Sequence, residues 1–417
     1  MRNKEIKQRK TKILATLGPS SNTIKKIIEL SKAGANAFRL NCSHLNEQGL
    51  KDYVKKIRRA EKILNKPIGI LVDLQGPKIR IGKVKDGENI LKKDSIFLLD
   101  LKKEIGNYKR VTLPHKKIFS SAKNGHLILL DDGKIHLKVT SVKANEIRTK
   151  VLQGGLLKSN KGVNLPQTNI RTSALSSIDK KFASIAVQEG VDWIALSFVQ
   201  KPNDIKELRK ICLNKVSIMA KIEKPTALDY INEIADLADG IMIARGDLGV
   251  ELPIESVPGW QKKIIRVARV KGRPVVVSTQ MLESMTSSLT PTRAEVSDVA
   301  NAVFEGADAI MLSAESASGD YPVETVKMMN KIAINIEKDS NYNDILSSQL
   351  EDTPDTTPDA IAVAAKTLAD ELSAPIIVCY TESGSTGIKV SRVRPSQTIL
   401  TITPVVQTAR KLSLAWG

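Results

Sequence analysis

Short apolar runs alternate with amphipathic segments along most of the chain. Eight runs are continuously apolar, as expected for strands that are buried on both faces. They span residues 12–16, 37–43, 68–75, 191–199, 216–223, 240–245, 274–280 and 309–314. The amphipathic segments predict helices at residues 23–33, 49–64, 178–189, 203–213, 227–237, 256–270, 292–305 and 323–336.

This alternation predicts parallel strands joined by right-handed crossovers, and eight such units predict a closed (β/α)₈ TIM barrel. We assign residues 1–81 and 164–340 to this catalytic barrel. An insertion at residues 82–163 contains the turn pair Asp132 and Gly133 and short Val, Ile and Leu runs at 95–99, 126–130, 135–142 and 146–151. These features predict an all-β lid domain at the mouth of the barrel.

The last part of the chain has a different pattern. A polar stretch at residues 338–359 predicts a linker. Beyond it, a helix at 360–372, a strand at 374–380, a Ser- and Gly-rich loop and a strand at 398–403 predict a small α/β domain. We place this domain at residues 355–417 and expect it to be incomplete, because it contains only two clear strands.

Composition narrows the class of protein. No uncharged apolar run approaches the roughly 18 residues of a membrane helix, and the basic first dozen residues lack the apolar core of a secretory signal. Cys42, Cys212 and Cys379 are far apart, which argues against a disulfide framework or a zinc site. We therefore expect a cytoplasmic protein with no membrane partner.

The net charge of +19 is compatible with a nucleic-acid binder. However, the basic residues are mostly lysines spread along the whole chain, and aromatic residues make up only 4%. Nucleic-acid binders usually concentrate their charge and add stacking aromatics. The pattern favours solvated lysine-rich surfaces, so we expect no nucleic-acid partner.

Polar residues follow the predicted barrel strands at their carboxyl ends, where barrel enzymes carry their active sites. Because residues two apart on a strand share a face, Lys221 and Glu223 should point the same way. Asp247 follows the next strand at the same level. Two carboxylates beside an amine favour a hard divalent cation, Mg²⁺ or Mn²⁺. The alternative is a structural ion pair between Lys221 and Glu223 inside the barrel.

Phosphate groups have other candidate partners. The chain lacks the G-x-x-x-x-G-K-[ST] loop, so side chains such as Arg39, Arg80 and Lys161 would have to hold any phosphates. Residues 245–249 turn from a strand toward a helix start and can offer backbone N–H groups to a carboxylate. Taken alone, that segment is better explained as an ordinary tight turn that requires glycine.

The motifs together closely resemble the pyruvate kinase family. The resemblance runs from residue 11 to 417 and rests on RLN at 39–41, GPKIR at 76–80, KGVNLP at 161–166, AKIE at 220–223, ARGDLGVE at 244–251, TQMLESM at 279–285 and PTRAEVSDVA at 291–300. It implies transfer of the phosphoryl group of phosphoenolpyruvate to ADP, giving pyruvate and ATP in glycolysis. It also implies a homotetramer or homodimer.

The resemblance implies roles for individual residues. Glu223 and Asp247 would bind Mg²⁺ or Mn²⁺, and Lys221 would stabilise charge on the phosphoryl group during transfer. The other implied roles are substrate binding by Arg39, Lys221, Thr279 and the backbone N–H groups of Gly246 and Asp247, nucleotide contacts from Asn41, His44, Arg80 and Lys161, and proton delivery by Thr279 with Ser313. A threonine hydroxyl is too weak an acid to act alone, so a water relay is expected.

The chain departs from the family pattern near the monovalent-cation position. Many members carry Thr-Lys-Gly-Pro-Glu where this sequence has LQGPK at 74–78, which implies that K⁺ is not required. We expect the ammonium group of Lys78 to substitute for K⁺. The residues expected around it are Asn41, Ser43, Asp73 and Leu74.

The chain departs from the family pattern in two further places. Leu45 follows His44 where glycine is usual, so we expect the local loop to differ. The C-terminal domain is shorter than the family norm. Its loop at 381–386 resembles an effector-phosphate loop, although an ordinary Ser/Gly loop explains it equally well.

Three other interpretations remain open from the sequence. An aldolase-like barrel would need Glu223 and Asp247 but not Arg80, Lys161 or the lid. A nucleic-acid-binding protein on an inactive barrel would have lost central site residues, and none is lost. An intact but inactive homologue is the third, because the shortened C-terminal domain could compromise folding.

Overall fold

A computed structural model describes residues 9–168, 173–348 and 356–417. The first barrel segment comprises β1 (Lys12–Thr16), α1 (Ile24–Ala33), β2 (Ala37–Asn41), α2 (Glu47–Leu64) and β3 (Gly69–Asp73). The helices begin where their caps predict. The side chains of Thr23 and Asn46 accept the backbone N–H groups of Lys26 and Gly49, which satisfies donors that the first helical turn leaves free.

The insertion is largely β-structure. It comprises β4 (Glu88–Leu91), β5 (Ile96–Asp100), β6 (Arg110–Thr112), α3 (Lys116–Ser121), β7 (Leu127–Leu130), β8 (Ile135–Lys143), β9 (Glu146–Gln153), β10 (Gly155–Lys158) and β11 (Val163–Asn164). Six strands form one sheet in the order β11-β7-β8-β9-β5-β6, and β10 pairs with β4. The four predicted strands are confirmed; β4, β6, β10, β11 and α3 were not predicted, because they are short.

The second barrel segment alternates strands with one or two helices. It comprises α4 (Ser177–Gln188), β12 (Trp193–Leu196), α5 (Pro202–Cys212), β13 (Ser217–Ile222), α6 (Pro225–Asp229), α7 (Ile231–Leu237), β14 (Gly240–Ala244), α8 (Arg245–Glu251), α9 (Val257–Val270), β15 (Val275–Ser278), α10 (Arg293–Phe304), β16 (Ala309–Leu312), α11 (Ala314–Ala317) and α12 (Pro322–Glu337).

The eight predicted runs form one closed parallel barrel, in the order β1-β16-β15-β14-β13-β12-β3-β2. Closure is made by β1, which pairs in parallel with both β16 and β2. The strands end earlier than predicted: β2 stops at Asn41, β3 at Asp73 and β15 at Ser278. The polar residues that follow therefore belong to loops at the barrel mouth. Side chains in these loops no longer alternate between the two faces of the sheet.

The C-terminal unit follows a segment that was predicted to be only a linker. That prediction was wrong for α13 (Tyr342–Ser347), because Tyr342 and Leu346 are four residues apart and both are buried. Residues 349–355, which complete much of that stretch, lie outside the described part of the chain. The unit itself comprises α14 (Thr357–Glu371), β17 (Ile376–Tyr380), α15 (Ser385–Arg392), β18 (Thr398–Ile402) and α16 (Val406–Lys411).

The end of the chain packs against the amino-terminal end of the barrel. Leu414 is fully buried in a cluster with Leu14, Leu71, Trp193 and other barrel residues. The indole N–H of Trp193 donates to the carbonyl oxygen of Lys411 at 3.2 Å. These contacts close the barrel at the end opposite its mouth.

Among the described residues, no helix combines the length and apolar character needed to cross a membrane. The thiols of Cys42, Cys212 and Cys379 are free and buried. Burial raises the pKa of Cys212 to about 11, so this thiol stays protonated near neutral pH.

Replacing Leu414 with alanine should destabilise the protein, because it removes a fully buried side chain from the cluster beneath the barrel. We expect a loss of about 2–5 kcal/mol, seen as a lower denaturant midpoint. The matched control is Leu372→Ala in the same unit, where the side chain is 76% exposed. Equal midpoints for the two variants would show that the cluster contributes nothing to stability.

Candidate active site

Arg39 and Lys221 both contact one buried carboxylate, that of Asp73. The Nη2 atom of Arg39 lies 2.6 Å from Oδ2 of Asp73, and Nζ of Lys221 lies 3.2 Å from Oδ1. Pairing of β2 with β3 places Asn41 opposite Asp73. Arg39 lies two residues before Asn41 on the same strand, and its side chain extends along the strand to the carboxylate. The sequence assigned Asp73 to a monovalent-cation site; here it is the shared counter-ion of two predicted substrate-binding cations.

Glu223 lies on the other side of the lysine. The predicted common face of Lys221 and Glu223 is confirmed, because Nζ of Lys221 lies 2.9 Å from Oε1 of Glu223. The Oε2 atom of Glu223 accepts the backbone N–H of Phe198 at 2.7 Å. Only 1% of Glu223 is exposed. The structural ion pair between Lys221 and Glu223 that the alternative interpretation predicts is therefore present. It belongs to a larger group of charges that includes Asp73 and Arg39.

Proton affinities in this group follow from burial and charge. Burial favours neutral Lys221, but Asp73 and Glu223 outweigh it and the pKa of the ammonium group is raised. Burial likewise favours neutral Asp73, yet Lys221 and Arg39 lower the pKa of its carboxyl group. Burial dominates at Glu223, whose pKa is raised despite Lys221, with the charge of Asp247 acting in the same direction as burial.

Asp247 lies in the first turn of α8, directly after β14. It lines a cleft of about 170 Å³ against the lid and a second cleft of about 750 Å³ over the barrel mouth. Its charge acts on both Lys221 and Glu223. Within the described residues, no ion pair or side-chain hydrogen bond engages its carboxylate, so its oxygens are available to a ligand.

The oxygen donors suit a hard divalent cation. Each oxygen of the Glu223 carboxylate accepts one protein donor, which leaves lone pairs on both, and the Asp247 carboxylate is unengaged. The described residues contain no group of three or more His, Cys, Asp and Glu side chains arranged for a metal. Two carboxylates with the remaining positions left to water or substrate oxygens fit Mg²⁺ or Mn²⁺ better than zinc.

Thr279 has a strained backbone at the end of β15. Its φ is +72° and that of Gln280 is +53°, a region that β-branched residues rarely adopt. The hydroxyl of Thr279 accepts the N–H of Gly246 at 2.7 Å, and the guanidinium of Arg245 holds the carbonyl oxygen of Thr279 at 2.6 Å. The surrounding hydrogen bonds therefore fix the threonine in this unfavourable conformation, with its hydroxyl at the first turn of α8.

Ser313 lines the same cleft as Gly246 and Thr279. Its backbone N–H donates to Oε2 of Glu315 at 2.7 Å. Burial raises the pKa of Glu315. The structure thus brings Ser313 into the cleft with Thr279, as expected for residues that end adjacent strands β15 and β16.

The residues predicted to contact the nucleotide lie in two places. Arg80 and Lys161 lie where the lid joins the barrel, and Asn41 and His44 lie at the end of β2 and in the turn after it. The Nη1 atom of Arg80 donates to the carbonyl oxygen of Asn160 at 2.9 Å, and Lys161 forms an ion pair with Asp131 at 2.7 Å. His44 is exposed in the turn after β2. In that turn Oδ1 of Asn41 accepts the N–H of Ser43 at 3.1 Å. The structure does not bring these four residues into one contact network.

Lys78 lines both clefts together with Asp132 and Asp247. Its Cε atom lies near Gly162 of the lid, where an added Cβ would be 3.7 Å away. Among the described residues, no ion pair joins Lys78 to Asp73, and the buried Leu74 contributes to the hydrophobic core. The ammonium group thus lies on the lid side of the site rather than among Asn41, Ser43 and Asp73.

Sequence reasoning missed two contributors. Ser197 accepts a hydrogen bond from Lys221 at 2.7 Å and donates to the carbonyl oxygen of Leu74 at 2.7 Å. Thr16 accepts from Nη1 of Arg39 at 3.2 Å. Both residues lie at or just beyond the ends of barrel strands, so the strand-end rule finds them when it is applied to the first and fourth strands as well.

Comparison with known proteins identifies the family. The model for the pyruvate kinase barrel domain matches residues 8–326, and that for the pyruvate kinase alpha/beta domain matches residues 359–417. The chain belongs to the pyruvate kinase family. A pyruvate kinase of Methylorubrum extorquens is 49% identical over 411 residues, which covers 99% of this chain and 86% of that protein.

Other members of the pyruvate kinase family agree in sequence and fold. A pyruvate kinase of Agrobacterium vitis is 47% identical, with 98% of this chain and 86% of that protein covered. The crystal structure of a pyruvate kinase from Cryptosporidium parvum has a TM-score of 0.94 at 34% identity, with 98% of this chain and 86% of that chain covered. Pyruvate kinases generally use Mg²⁺ and K⁺, bind phosphoenolpyruvate and ADP and usually form oligomers.

Replacing Asp73 with asparagine should impair both stability and activity, because two buried cations lose their common counter-ion. Breaking such a buried arrangement costs about 3–5 kcal/mol. Asp192→Asn is the matched control: Asp192 is equally buried and lies 2.7 Å from Arg58, but at the opposite end of the barrel. We expect the control to keep its activity in a coupled assay of pyruvate formation. An active Asp73→Asn variant would contradict the proposed importance of this carboxylate.

Proposed function

We propose that the chain catalyses transfer of the phosphoryl group of phosphoenolpyruvate to ADP, giving pyruvate and ATP. Membership of the pyruvate kinase family supports this reaction over an aldolase or a nucleic-acid-binding protein. The single observation that carries the site assignment is the buried group formed by Arg39, Asp73, Lys221 and Glu223 at the carboxyl ends of the barrel strands.

Phosphoryl transfer requires positioning and charge neutralisation more than covalent chemistry. Lys221 is kept protonated by Asp73 and Glu223, so it can place a full positive charge beside the phosphoryl oxygens. Arg39 donates to the carboxylate of Asp73 and to the hydroxyl of Thr16, and these two acceptors fix the direction of its guanidinium. We assign phosphoryl binding to these two residues.

Glu223 and Asp247 would hold the divalent cation. When bound, Mg²⁺ or Mn²⁺ supplies charge neutralisation to the oxygens of the substrate phosphate. The backbone N–H groups of Gly246 and Asp247 are assigned to the substrate carboxylate. In the structure the Gly246 N–H donates to the hydroxyl of Thr279, so a carboxylate there must displace that hydroxyl or share the N–H with it.

Thr279 is assigned to the face on which the enolate of pyruvate is protonated. Its hydroxyl donates to the carbonyl oxygen of Ser278 at 2.5 Å, and Ser313 lies in the same cleft. A hydroxyl is a weak acid, so we expect Thr279 to orient a water relay through Ser313 rather than to transfer its own proton. Asn41, His44, Arg80 and Lys161 are assigned to the nucleotide, with the last two brought to it by closure of the lid.

We further propose a cytoplasmic homotetramer or homodimer, with the barrel at residues 1–81 and 164–340, the lid at 82–163 and the C-terminal unit at 355–417. Residues 1–8, 169–172 and 355 fall outside the described residues. The sheet of the lid continues through β11 to Asn164, because β11 pairs with β7, so the lid and barrel share this strand at their border.

Replacing Lys221 with methionine should lower kcat by about 10²–10³-fold, because it removes a positive charge aimed at the transferring group. The measurement is pyruvate formation from phosphoenolpyruvate and ADP with Mg²⁺. Lys271→Met is the matched control, since Lys271 also contacts a carboxylate, that of Asp236 at 2.8 Å, but lies after α9 at the other end of the barrel. Equal rates for the parent and Lys221→Met would refute the role of this lysine.

We propose that the enzyme does not require K⁺, with the ammonium group of Lys78 supplying the monovalent charge. Because Lys78 lies on the lid side here, it must move toward Asn41, Ser43 and Asp73 when substrates bind. The parent should be equally active in K⁺ and in tetramethylammonium salts. Lys78→Glu should acquire K⁺ dependence, since it removes the built-in cation. Strong activation of the parent by K⁺ would rule the substitution out.

A further inference from the structure

The lid contacts the barrel at helix α8, where one buried carboxylate receives it. Glu251, the last residue of α8, is only 4% exposed. Its Oε1 atom accepts Nδ2 of Asn164 at 2.8 Å, and the ammonium group of Lys224 contacts the same oxygen. Because an ionised carboxylate can only accept hydrogen bonds, Asn164 must present its amide nitrogen to Glu251.

Asn164 belongs to the body of the lid, although it lies at the border. Its strand, β11, pairs with β7 of the lid sheet, and its neighbours Val163 and Leu165 are both buried in the hydrophobic cluster of the lid. The amide therefore moves with the lid. A second contact involves the same helix, since a Cβ added at Gly133, in the turn between β7 and β8, would lie 3.7 Å from Cγ1 of Val250 in α8.

The barrel side of this contact lies beside both carboxylates assigned to the divalent cation. Asp247 is four residues before Glu251, about one turn away on the same helix. Lys224 directly follows Glu223 in the chain. The cleft of about 170 Å³ between the lid and the barrel is lined by Asn164, Lys224, Asp247 and Glu251. Docking of the lid on Glu251 therefore acts on the two segments that carry the assigned cation ligands.

The contact is stronger than an ordinary polar contact between domains. Among the described residues, Oε2 of Glu251 has no hydrogen-bond partner, so compensation of this buried charge depends on the two donors at Oε1. Hydrogen bonds to a charged group contribute more than hydrogen bonds between neutral groups. Separation of the lid would replace the Asn164 bond with water, so the pair favours the docked lid.

We propose that Glu251 is a positioning residue for phosphoryl transfer, which receives the lid through Asn164 and holds it docked over the nucleotide. This inference rests on the proposed function, because Arg80 and Lys161 at the lid junction are assigned to ADP. Only molecules with a docked lid present these groups, so the apparent affinity for ADP follows the docked fraction. Glu251 acts through the lid and not on the reacting atoms.

Exchanging the two side-chain types tests the pair. Asn164→Asp should place two carboxylates together and release the lid, which raises the KM for ADP about tenfold with little change in kcat. Adding Glu251→Gln should restore the parent KM, because the amide then donates from position 251 to a carboxylate at position 164, with Lys224 still beside both. Loss of folded enzyme would instead lower kcat and leave KM unchanged.

Asn89→Asp is the matched control. Asn89 lies in β4 of the lid, and its amide donates within the lid, to the carbonyl oxygen of Lys85 at 3.1 Å. This variant makes the same chemical change in a lid strand without touching the barrel contact. It should keep the parent KM for ADP.

Lid position can also be measured without turnover, which separates failure of this inference from failure of the proposed function. Lys143→Cys in β8 and Lys206→Cys in α5 provide exposed positions for a pair of spin labels, one on the lid and one on the barrel. The three native thiols are buried. Pulsed electron paramagnetic resonance should give a broader distance distribution for Asn164→Asp than for the parent, and the parent distribution again for Asn164→Asp with Glu251→Gln.

An unchanged KM or an unchanged distance distribution in Asn164→Asp would overturn the proposal. A defect that Glu251→Gln does not rescue would do the same, because the damage would then lie in the folding of β11. If Asn164→Asp does not fold, Asn164→Ala takes its place under the same criteria. A parent that forms no pyruvate would reject the proposed function, and the label distances alone would then decide whether Glu251 receives the lid.

Discussion

The carboxylate of Asp73 is the constraint on which the candidate site depends. It is almost fully buried and contacts both Arg39 and Lys221. The carboxylate therefore holds both cations at the barrel mouth and replaces the solvation that water would give them. Without that carboxylate, two positive charges would face each other across the barrel mouth in a region of low dielectric. Its presence keeps Lys221 protonated, and the same lysine then restrains Glu223. One buried acid therefore fixes the directions of three functional groups on strands β2, β13 and the segment after β13.

The rest of the architecture determines how ligands reach this group. The Thr279 backbone is strained, and Arg245 and Gly246 hold it in place; such strain persists only where neighbouring contacts over-determine a conformation. The lid brings Lys161 and Arg80 toward the mouth but leaves them engaged with Asp131 and the carbonyl oxygen of Asn160. The C-terminal unit contributes at the opposite end, where Leu414 and Trp416 cover the base of the barrel. The candidate site thus lies at one end of the strands, and the C-terminal unit closes the other end.

Much of this organisation could be predicted from single residues and their spacing. The eight apolar runs predicted the barrel because strands buried on both faces must be apolar throughout, and the turn residues of the insertion predicted its hairpins. Residues two apart predicted the meeting of Lys221 with Glu223. The helix at Tyr342 was missed because its burial depends on Phe304 and Trp416, which are distant in sequence. Ser197 was missed for a different reason: it directly follows the fourth barrel strand, where no charged residue marks the strand end as functional.

The sequence by itself therefore determined the fold class, the family and the identity of the residues that end each strand, because these depend on local periodicity and on motifs read in order. Apart from Lys221 and Glu223, only the tertiary structure decided which of those residues touch. It made Asp73 a counter-ion of Arg39 and Lys221, placed Lys78 beside the lid, and brought Asn164 of the lid to Glu251 of α8. The physical reason is that a buried charge pairs with the groups nearest to it in the closed barrel. The separation of two residues along the sequence does not give their distance in the fold.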